Sequence, residues 1–255
     1  QKGAHMRIID VHAHLGDDCV FDECFTAADL LHKHDRCGID LSIVQPGTCF
    51  DLETVRAQHD AIAALCATHP GRFVGMANPN PHLPETAYRD EVARCIRSLG
   101  FVGIKLHPFA HAAPPGGRDQ RKVFEAALAL DVPVMVHTGA GIPFANPSNL
   151  LAVCEAFPDV RIVMAHCGMM ITSGEAWTVL ERCPNTWADL SWTPGFQIER
   201  MAAAFGASRL MLASDHAENA DTELAKIRAC RLPQSDIDRI LGGAAEALYR
   251  LPLPA

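Results

Sequence analysis

Short apolar segments rich in β-branched residues recur along the chain, and segments with the periodicity of a helix separate them. Eight such apolar segments are present, at residues 6–14, 39–46, 72–79, 101–108, 132–139, 161–168, 185–192 and 209–216. Nearly continuous apolar strands that alternate with helices are typical of a parallel sheet covered by helices on its outer face. Eight of these units predict an α/β protein whose fold is a closed (β/α)8 TIM barrel.

The segments between the strands support this architecture. Apolar residues three and four positions apart predict helices over residues 26–38, 52–69, 84–100 and 121–130. Pro84 stands where prolines begin helices, and Gly38 and Gly100 stand where glycines end them. No Gly-x-Gly-x-x-Gly motif follows the first strand, which disfavours an open dinucleotide-binding sheet. Residues 235–251 predict a short helix, a Gly-Gly break and a closing helix.

The chain has no linker, no low-complexity tract and no second zone of different composition. We therefore expect one TIM-barrel domain over residues 6–255. Residues 1–5, which read QKGAH before a methionine, resemble the remnant of an expression tag and are excluded from this assignment.

Charge and composition limit the partners of the chain. The net charge of −8, from 22 basic and 30 acidic residues, disfavours a nucleic-acid partner. No apolar run approaches the roughly 18–20 residues of a membrane-spanning helix, so no membrane partner is expected. The ten cysteines form no Cys-x-x-Cys pair, which favours reduced thiols and a cytoplasmic protein. The expected partner is a small-molecule substrate.

The C-terminal ends of the predicted strands carry titratable residues. In a TIM barrel this end of the strands forms the active site. The first strand ends in Asp10-Val11-His12-Ala13-His14, and the two-residue period of a strand places His12 and His14 on one face. Four further strands end in Lys105 with His107, in His137, in His166, and in Asp215 with His216. Buried ionisable groups need partners, and a metal ion would supply one here.

The motifs IDVHAHL, IKLHP, VMVHTG, MAHCG and ASD resemble, in their order and spacing, those of the amidohydrolase superfamily and its amidohydrolase-2 branch. The resemblance runs from residue 8 to about residue 250. It implies a mononuclear metal site with His12 and His14 from strand one, His137 from strand five and Asp215 from strand eight. His166 is implied to be either a further metal ligand or the group that polarises the substrate carbonyl.

Three features distinguish the branches of this superfamily and indicate which branch the chain resembles. Members with two metal ions bridge them with a carboxylated lysine on strand four, where Lys105 lies, but the amidohydrolase-2 branch usually binds one ion. We therefore expect Lys105 to be a substrate-anion or electrostatic residue, with a bridging carbamate as the alternative. The TatD-type nucleases also open with His-x-His, but they place a glutamate on strand four, where FVGIKLHP has none. Because His12 lies close to the first native residue, we expect no β-sandwich subdomain of the kind found in urease, hydantoinase and deaminase-like relatives.

The implied ligands suit one divalent metal ion, Zn²⁺ first and Mn²⁺, Fe²⁺ or Co²⁺ as alternatives, and no organic cofactor. The first expectation is a hydrolase in which a metal-activated water cleaves an amide, lactone or ester of a small acidic molecule. Its catalytic residues would be Asp215 for proton transfer, His166 for carbonyl polarisation and Lys105 for electrostatic support. Lys105 and His107 would also hold a substrate carboxylate.

The same ligands serve a second reaction class. The amidohydrolase-2 branch includes non-oxidative decarboxylases of aromatic or unsaturated carboxylic acids, which are lyases. Such an enzyme needs a proton donor and a cationic carboxylate anchor, and His166 and Lys105 could supply them. A barrel that only binds a metal or ligand is a third alternative. The residues leave hydrolysis and decarboxylation open.

Further polar residues that follow the strands are candidates for substrate contact. Asn78, Thr138, Trp192 and His216 are the first group and are expected to bind substrate. Thr48, Cys49 and Asn80 are further candidates at the same end of the strands. Cys49 is not expected to act as a nucleophile, since a metal-bound water would serve that role. Short loops after the strands predict a small or partly open pocket, which a neighbouring subunit of a homo-oligomer could complete.

Overall fold

The computed structural model describes residues 6–251, so the tag-like residues 1–5 lie outside the described part of the chain. The strands are β1 (Ile9–Asp18), β2 (Glu23–Phe25), β3 (Leu41–Pro46), β4 (Phe73–Gly75), β5 (Ile104–Leu106), β6 (Val134–His137), β7 (Ile162–Ala165), β8 (Thr186–Asp189) and β9 (Leu210–Met211). The helices are α1 (Ala27–Cys37), α2 (Leu52–Thr68), α3 (Glu85–Arg97), α4 (Arg121–Leu130), α5 (Leu151–Ala156), α6 (Ser173–Arg182), α7 (Gly195–Phe205), α8 (Ala220–Arg228), α9 (Gln234–Asp238) and α10 (Ala244–Tyr249). No helix of residues 6–251 has both the length and the hydropathy required to cross a membrane.

Eight of these strands form the barrel. Strands β1, β3 and β4 pair in parallel, and strands β5 to β9 pair in parallel in chain order. Ala77, just after β4, pairs with Ile104 of β5 and joins the two sheets at one seam. At the other seam the Val11 amide donates to the Leu212 carbonyl at 3.0 Å. The predicted TIM barrel is confirmed.

Strand β2, which lies outside the barrel, was not predicted. Strand β1 continues past the barrel and pairs antiparallel with β2, with Gly16 opposite Phe25. The Asp18 carboxylate accepts the Phe21 amide at 3.0 Å within the turn and the Thr48 amide at 2.8 Å from the loop after β3. The polar run GDDCVFDE lacks the alternation that identifies a strand, because the hairpin projects beyond the barrel.

The predicted Gly-Gly break near the C-terminus is wrong. Between α9 and α10 the chain stays helical through a wider turn at Arg239–Gly243. A Cβ atom at Gly242 would collide with the Arg7 carbonyl oxygen, so the absent side chain permits close packing against the start of the barrel. Glycine is required here for this close approach.

A buried ion pair supports the rim where β1 meets the segment after β9. Lys33 Nζ donates to Asp10 Oδ2 at 2.7 Å, and Ser214 donates to the same carboxylate from its amide (2.9 Å) and its hydroxyl (2.6 Å). Burial would raise the pKa of Asp10, but the Lys33 ammonium and these hydrogen bonds hold it below its usual value. The network fixes the backbone on which His12 and Asp215 lie.

A second buried carboxylate, Glu91 of α3, connects α2 and α3 to the end of β4. It accepts hydrogen bonds from Arg56 (2.6 Å), Arg94 (2.8 Å) and His59 Nδ1 (2.8 Å). His59 Nε2 in turn accepts the Asn78 amide at 3.1 Å. Burial would raise the pKa of Glu91, but these donors lower it well below its usual value.

We therefore expect acid to weaken the fold through Glu91. Below the unfolded pKa of about 4.3, Glu91 of the unfolded chain takes up a proton that folded Glu91 does not. The free energy of unfolding therefore decreases as the pH is lowered through this range. Glu91→Gln should lower stability at pH 7 and flatten the decline between about pH 5 and pH 3. Urea denaturation across that range measures both curves, and parallel curves would contradict this role.

Candidate active site

Three potential metal ligands converge at the barrel rim. His14 Nε2 lies 3.2 Å from His12 Nε2, and each of these nitrogens lies 3.3 Å from Asp215 Oδ1. Ligand atoms bound to one tetrahedral ion at about 2.0–2.1 Å lie roughly 3.4 Å apart. The period of β1 and the short path from β9 to Asp215 thus bring the three side chains to a metal-ligand spacing.

A hydrogen bond fixes the tautomer of His12. Its Nδ1 lies 2.6 Å from Asp189 Oδ2, at the end of β8, so this nitrogen carries the proton and donates to the carboxylate. The lone pair of neutral His12 is therefore on Nε2, which faces His14 and Asp215. Carboxylates commonly orient metal-binding histidines in this way.

The tautomers of His137 and His166 follow from the same reasoning. His137 Nε2 donates to the Ala140 carbonyl at 2.8 Å, which leaves the lone pair on Nδ1. His166 Nδ1 lies 2.8 Å from the Ser191 hydroxyl, whose own proton is donated to Asp189 at 2.6 Å, so His166 carries its lone pair on Nε2. His166 Nε2 and His137 Nδ1 are 3.1 Å apart, and the two lone pairs face each other.

The charge states of these residues suit a cation. Burial lowers the pKa of His12 and of His166 well below the usual range and that of His137 to about 4, so all three are neutral. Burial would raise the pKa of Asp215, but its interactions with His166, His12 and His14 hold it well below the usual value. Facing lone pairs beside an ionised carboxylate fit a divalent metal ion.

The geometry distinguishes the predicted ligands. Within the described part of the chain, His12, His14 and Asp215 form one group whose ligand atoms all lie within 4.8 Å of one another. His12 and His166 form another such group with Asp189, whereas His137 belongs to no such group among residues 6–251. The rings of His12 and His166 stack with centroids 5.0 Å apart. The role of His137 as a ligand stays a prediction.

Lys105 and His107 lie beside this group, on the end of β5. Lys105 Nζ is 3.0 Å from His12 Nε2, and burial lowers the pKa of Lys105 to about 8 although the carboxylates of Asp215 and Asp189 favour the charged form. The His107 ring stacks on that of His137 with centroids 4.0 Å apart. Lys105 thus places a cation next to the candidate metal ligands.

Three residues of the site have strained backbones. His166, Trp192 and Asp215 have positive φ angles of 64°, 60° and 63°, which non-glycine residues rarely adopt. His166 directly follows β7, whereas Trp192 and Asp215 lie in the loops that follow β8 and β9, and the left-handed conformation turns the chain at each position. Such strain is concentrated at functional sites, where the surrounding structure imposes it.

A cavity of about 240 Å³ opens above these residues. Its base contains the predicted ligands with Lys105 and His107, and His216 borders it. Apolar side chains form much of its wall, namely Phe21, Phe25, Phe109 and Met169. Phe25 stacks on His14 with centroids 4.9 Å apart, and Phe21 approaches His107 at 5.6 Å. The pocket therefore has a polar base and aromatic walls.

Three residues of the first group predicted to contact substrate, Thr138, Asn78 and Trp192, do not line this cavity. Thr138 is buried, and its hydroxyl donates to the Ala165 carbonyl (2.7 Å) and accepts the Gly168 amide (3.0 Å). Asn78 is buried where its backbone amide meets His59. The Thr138 bonds hold the turn that carries His166.

Trp192 contacts Asp215. Its indole Nε1 donates to Asp215 Oδ2 at 2.9 Å, while Asp215 Oδ1 faces His12 and His14. Trp192 is absent from the residues that line the cavity, although it was predicted to bind substrate. Its hydrogen bond holds the Asp215 carboxylate in one orientation.

The residues after strands β3 and β4 have structural contacts. Cys49 is buried, and burial raises the pKa of its thiol to about 12, which is unfavourable for a nucleophile. Thr48 and Asn80 bond to backbone or side chains of neighbouring loops. None of the three lines the cavity above His12.

Sequence reasoning missed Asp189 and Ser191. Both belong to the segment NTWADLSW, which was predicted as strand seven of the barrel. The strand-end criterion that identified His137 and His166 would also have found Asp189, a buried carboxylate at a C-terminal strand end. The Phe21 and Phe25 contacts required the hairpin, for which the sequence carried no signal.

Comparison with known proteins places the chain among amidohydrolases. The model of the amidohydrolase family Amidohydro_2 matches residues 9–251. The chain is 36% identical to a γ-resorcylate decarboxylase of Polaromonas sp. strain JS666, over 78% of this chain and 77% of that protein.

Solved structures agree in fold. A 2,6-dihydroxybenzoate decarboxylase complexed with 2,6-dihydroxybenzoate has a TM-score of 0.81 at 18% identity, covering 97% of this chain and all of the other. A dihydroxybenzoic acid decarboxylase from Polaromonas sp. JS666, with bound manganese and 2-nitroresorcinol, has a TM-score of 0.79 at 18% identity, covering 96% and 97% of the two chains. At this identity the likeness concerns the fold.

These comparisons overturn the expectation of a hydrolase. The relative that is 36% identical over most of both chains is a γ-resorcylate decarboxylase. The error has a physical cause, because a histidine and carboxylate metal site serves both reactions. The resemblance to the amidohydrolase-2 branch is confirmed. The chain belongs to the amidohydrolase family.

Proposed function

We propose that the protein is a metal-dependent decarboxylase of a small hydroxylated aromatic carboxylic acid. The observation that carries the proposal is the 36% identity to γ-resorcylate decarboxylase over most of both chains. The site supports it, because a polar base with candidate metal ligands adjoins a wall of phenylalanines. An aromatic ring would pack against Phe21 and Phe109 while its carboxylate faces Lys105.

The proposed metal site uses His12, His14 and Asp215, with His137 as a further predicted ligand. Of the two roles that the sequence left open for His166, ligand or catalytic residue, the proposal takes the catalytic one. Mn²⁺ is the first ion to test, because a similarly folded decarboxylase contains manganese, and Zn²⁺ is the second. When bound, the ion would act as a Lewis acid that binds and orients the oxygen atoms of the substrate. No organic cofactor enters the proposal.

Decarboxylation requires a proton at the ring carbon as its bond to the carboxylate carbon breaks. His166, neutral in the free site, would first take up a proton from solvent at Nε2 and then donate it to the ring carbon, since its Nδ1 is held by Ser191. The electron pair of the broken bond restores the aromatic ring, and the carboxylate leaves as CO₂. The Lys105 ammonium would hold the carboxylate before cleavage. The phenylalanine walls would exclude water from the reacting carbon.

The test is a panel of substrates incubated with the protein and Mn²⁺ or Zn²⁺. Benzoates with hydroxyl groups at positions 2 and 6, at position 2, or at position 4 are compared with an aryl ester and a lactone, using chromatography of the products. We expect the corresponding phenols from the benzoates and no turnover of the ester or lactone. Hydrolysis of the ester or lactone, without loss of carboxylate from any acid, would refute the proposal.

Replacing Trp192 with phenylalanine should lower kcat about tenfold. The variant keeps an aromatic ring but loses the donor to Asp215 Oδ2, and a bond to a charged group contributes about 1.5–3 kcal/mol, reduced here by exposure. Steady-state decarboxylation kinetics measure the change. Trp177→Phe is the matched control, because Trp177 packs on Phe205 away from the cavity. Equal kinetics in the two variants would contradict this role for Trp192.

A further inference from the structure

Asp189 is a fully buried carboxylate whose two oxygens have different partners. Oδ2 lies 2.6 Å from His12 Nδ1. Oδ1 accepts the Ser191 amide at 2.9 Å and the Ser191 hydroxyl at 2.6 Å. The carboxylate thus accepts from three donors, and one of them is the outer nitrogen of His12, a candidate metal ligand.

Ser191 connects the Asp189 carboxylate to His166. Because its hydroxyl proton is donated to Asp189, its oxygen is free to accept, and His166 Nδ1 lies 2.8 Å away. Ser191 is itself buried, so water does not compete for these bonds. One carboxylate therefore determines which nitrogen carries the proton in both His12 and His166.

We propose that Asp189 and Ser191 form a positioning pair that sets the tautomer and ring orientation of His12 and His166 together. His12 then presents Nε2 to the metal site, and His166 presents Nε2 to the substrate. The two rings stack at 5.0 Å, so a rotation of one would displace the other. The role given to His166 rests on the proposed decarboxylation, whereas the two tautomers do not depend on it.

The two variants of this pair should have different effects. Removing the Ser191 hydroxyl breaks only the contact with His166. Replacing Asp189 removes the charged acceptor of both His12 and the Ser191 hydroxyl. A merely structural role at the end of β8 would lower stability without changing the two histidines selectively.

The first experiment records long-range ¹H–¹⁵N spectra of the full-length, chelator-treated protein labelled at histidine. His12→Gln and His166→Gln variants assign the two rings. In the unsubstituted protein we expect both in the Nδ1–H form. Ser191→Ala should release His166 into a mixture of tautomers and leave His12 unchanged, whereas Asp189→Asn should alter both. Thr186→Val removes a buried hydroxyl at the start of β8, where it bonds to Cys183 and Arg209, and should alter neither.

The second readout is metal affinity, measured by competition with a chromophoric chelator. Loss of the outer partner of a metal-binding histidine weakens binding about 10- to 100-fold, and we expect this for Asp189→Asn. Ser191→Ala should keep the affinity of the unsubstituted protein and lower kcat at unchanged KM. If Asp189→Asn fails to fold, the contrast between Ser191→Ala and Thr186→Val still decides the question.

The proposal is overturned if Ser191→Ala leaves His166 unchanged or shifts His12 equally. It is also overturned if folded Asp189→Asn binds metal as tightly as the unsubstituted protein. Absence of CO₂ release from any benzoate would refute the decarboxylase proposal only, because the spectra and the chelator competition need no substrate. The two failures are therefore distinguishable.

Discussion

Replacing Asp215 with asparagine is expected to reduce kcat/KM on the order of 10³-fold. It should also weaken metal binding by at least about 10- to 100-fold, the loss typical when a residue that hydrogen-bonds to a metal ligand is removed. Asparagine keeps the shape of the side chain but removes the negative charge that faces His12 and His14 at 3.3 Å. It also changes the acceptor for the Trp192 indole.

The matched control is Asp221→Asn. Asp221 is an exposed carboxylate of α8 that pairs with Arg36 at 2.6 Å, outside the cavity. Decarboxylation kinetics and chelator competition on both variants measure the effect. Asp215→Asn with the activity and metal affinity of the control would remove Asp215 from the proposed ligand set.

Removal of the metal ion should abolish activity and lower the melting temperature. Binding at a free ion concentration 100 times the Kd stabilises the folded state by about 2.7 kcal/mol. For a chain of this size that corresponds to roughly 5–11 °C. The expected loss of activity follows because His12, His14 and Asp215 would no longer share a cation.

The experiment compares chelator-treated protein with the same protein after addition of Mn²⁺, Zn²⁺ or Mg²⁺, by thermal denaturation and by activity. Mn²⁺ or Zn²⁺ should restore both, while Mg²⁺, which prefers oxygen ligands, should restore neither. Asp215→Asn should show a much smaller shift. Full activity in protein verified to be metal-free would contradict the proposed metal site.

The barrel was predictable because its signal is local. A buried parallel strand needs an apolar run and an amphipathic helix needs apolar residues three or four apart, so each unit was visible in sequence. The β1–β2 hairpin was not, since it projects from the barrel and its polar residues obey no periodicity. Gly242 was misread because a glycine that permits close packing looks the same as one that ends a helix.

The site was predictable where chemistry and strand position coincide. His12, His14 and Asp215 combine metal-ligand chemistry with a strand end, and the structure brings their ligand atoms together. Trp192 and Thr138 have the right positions but contact Asp215 and the Ala165 backbone, and only tertiary structure determines that choice. The reaction itself could not be read from the ligands, because the same donors activate water or orient a carboxylate.

The most direct test uses 2,6-dihydroxybenzoate labelled with ¹³C at the carboxyl carbon. The metal-loaded protein is incubated with it, and labelled CO₂ and 1,3-dihydroxybenzene are quantified together by mass spectrometry and chromatography. We predict equal amounts of both products, formed on the order of 10³-fold more slowly by Asp215→Asn and not at all by metal-free protein. Metal-loaded protein that releases no labelled CO₂ from this acid or from the other hydroxybenzoates would contradict the assignment as a decarboxylase.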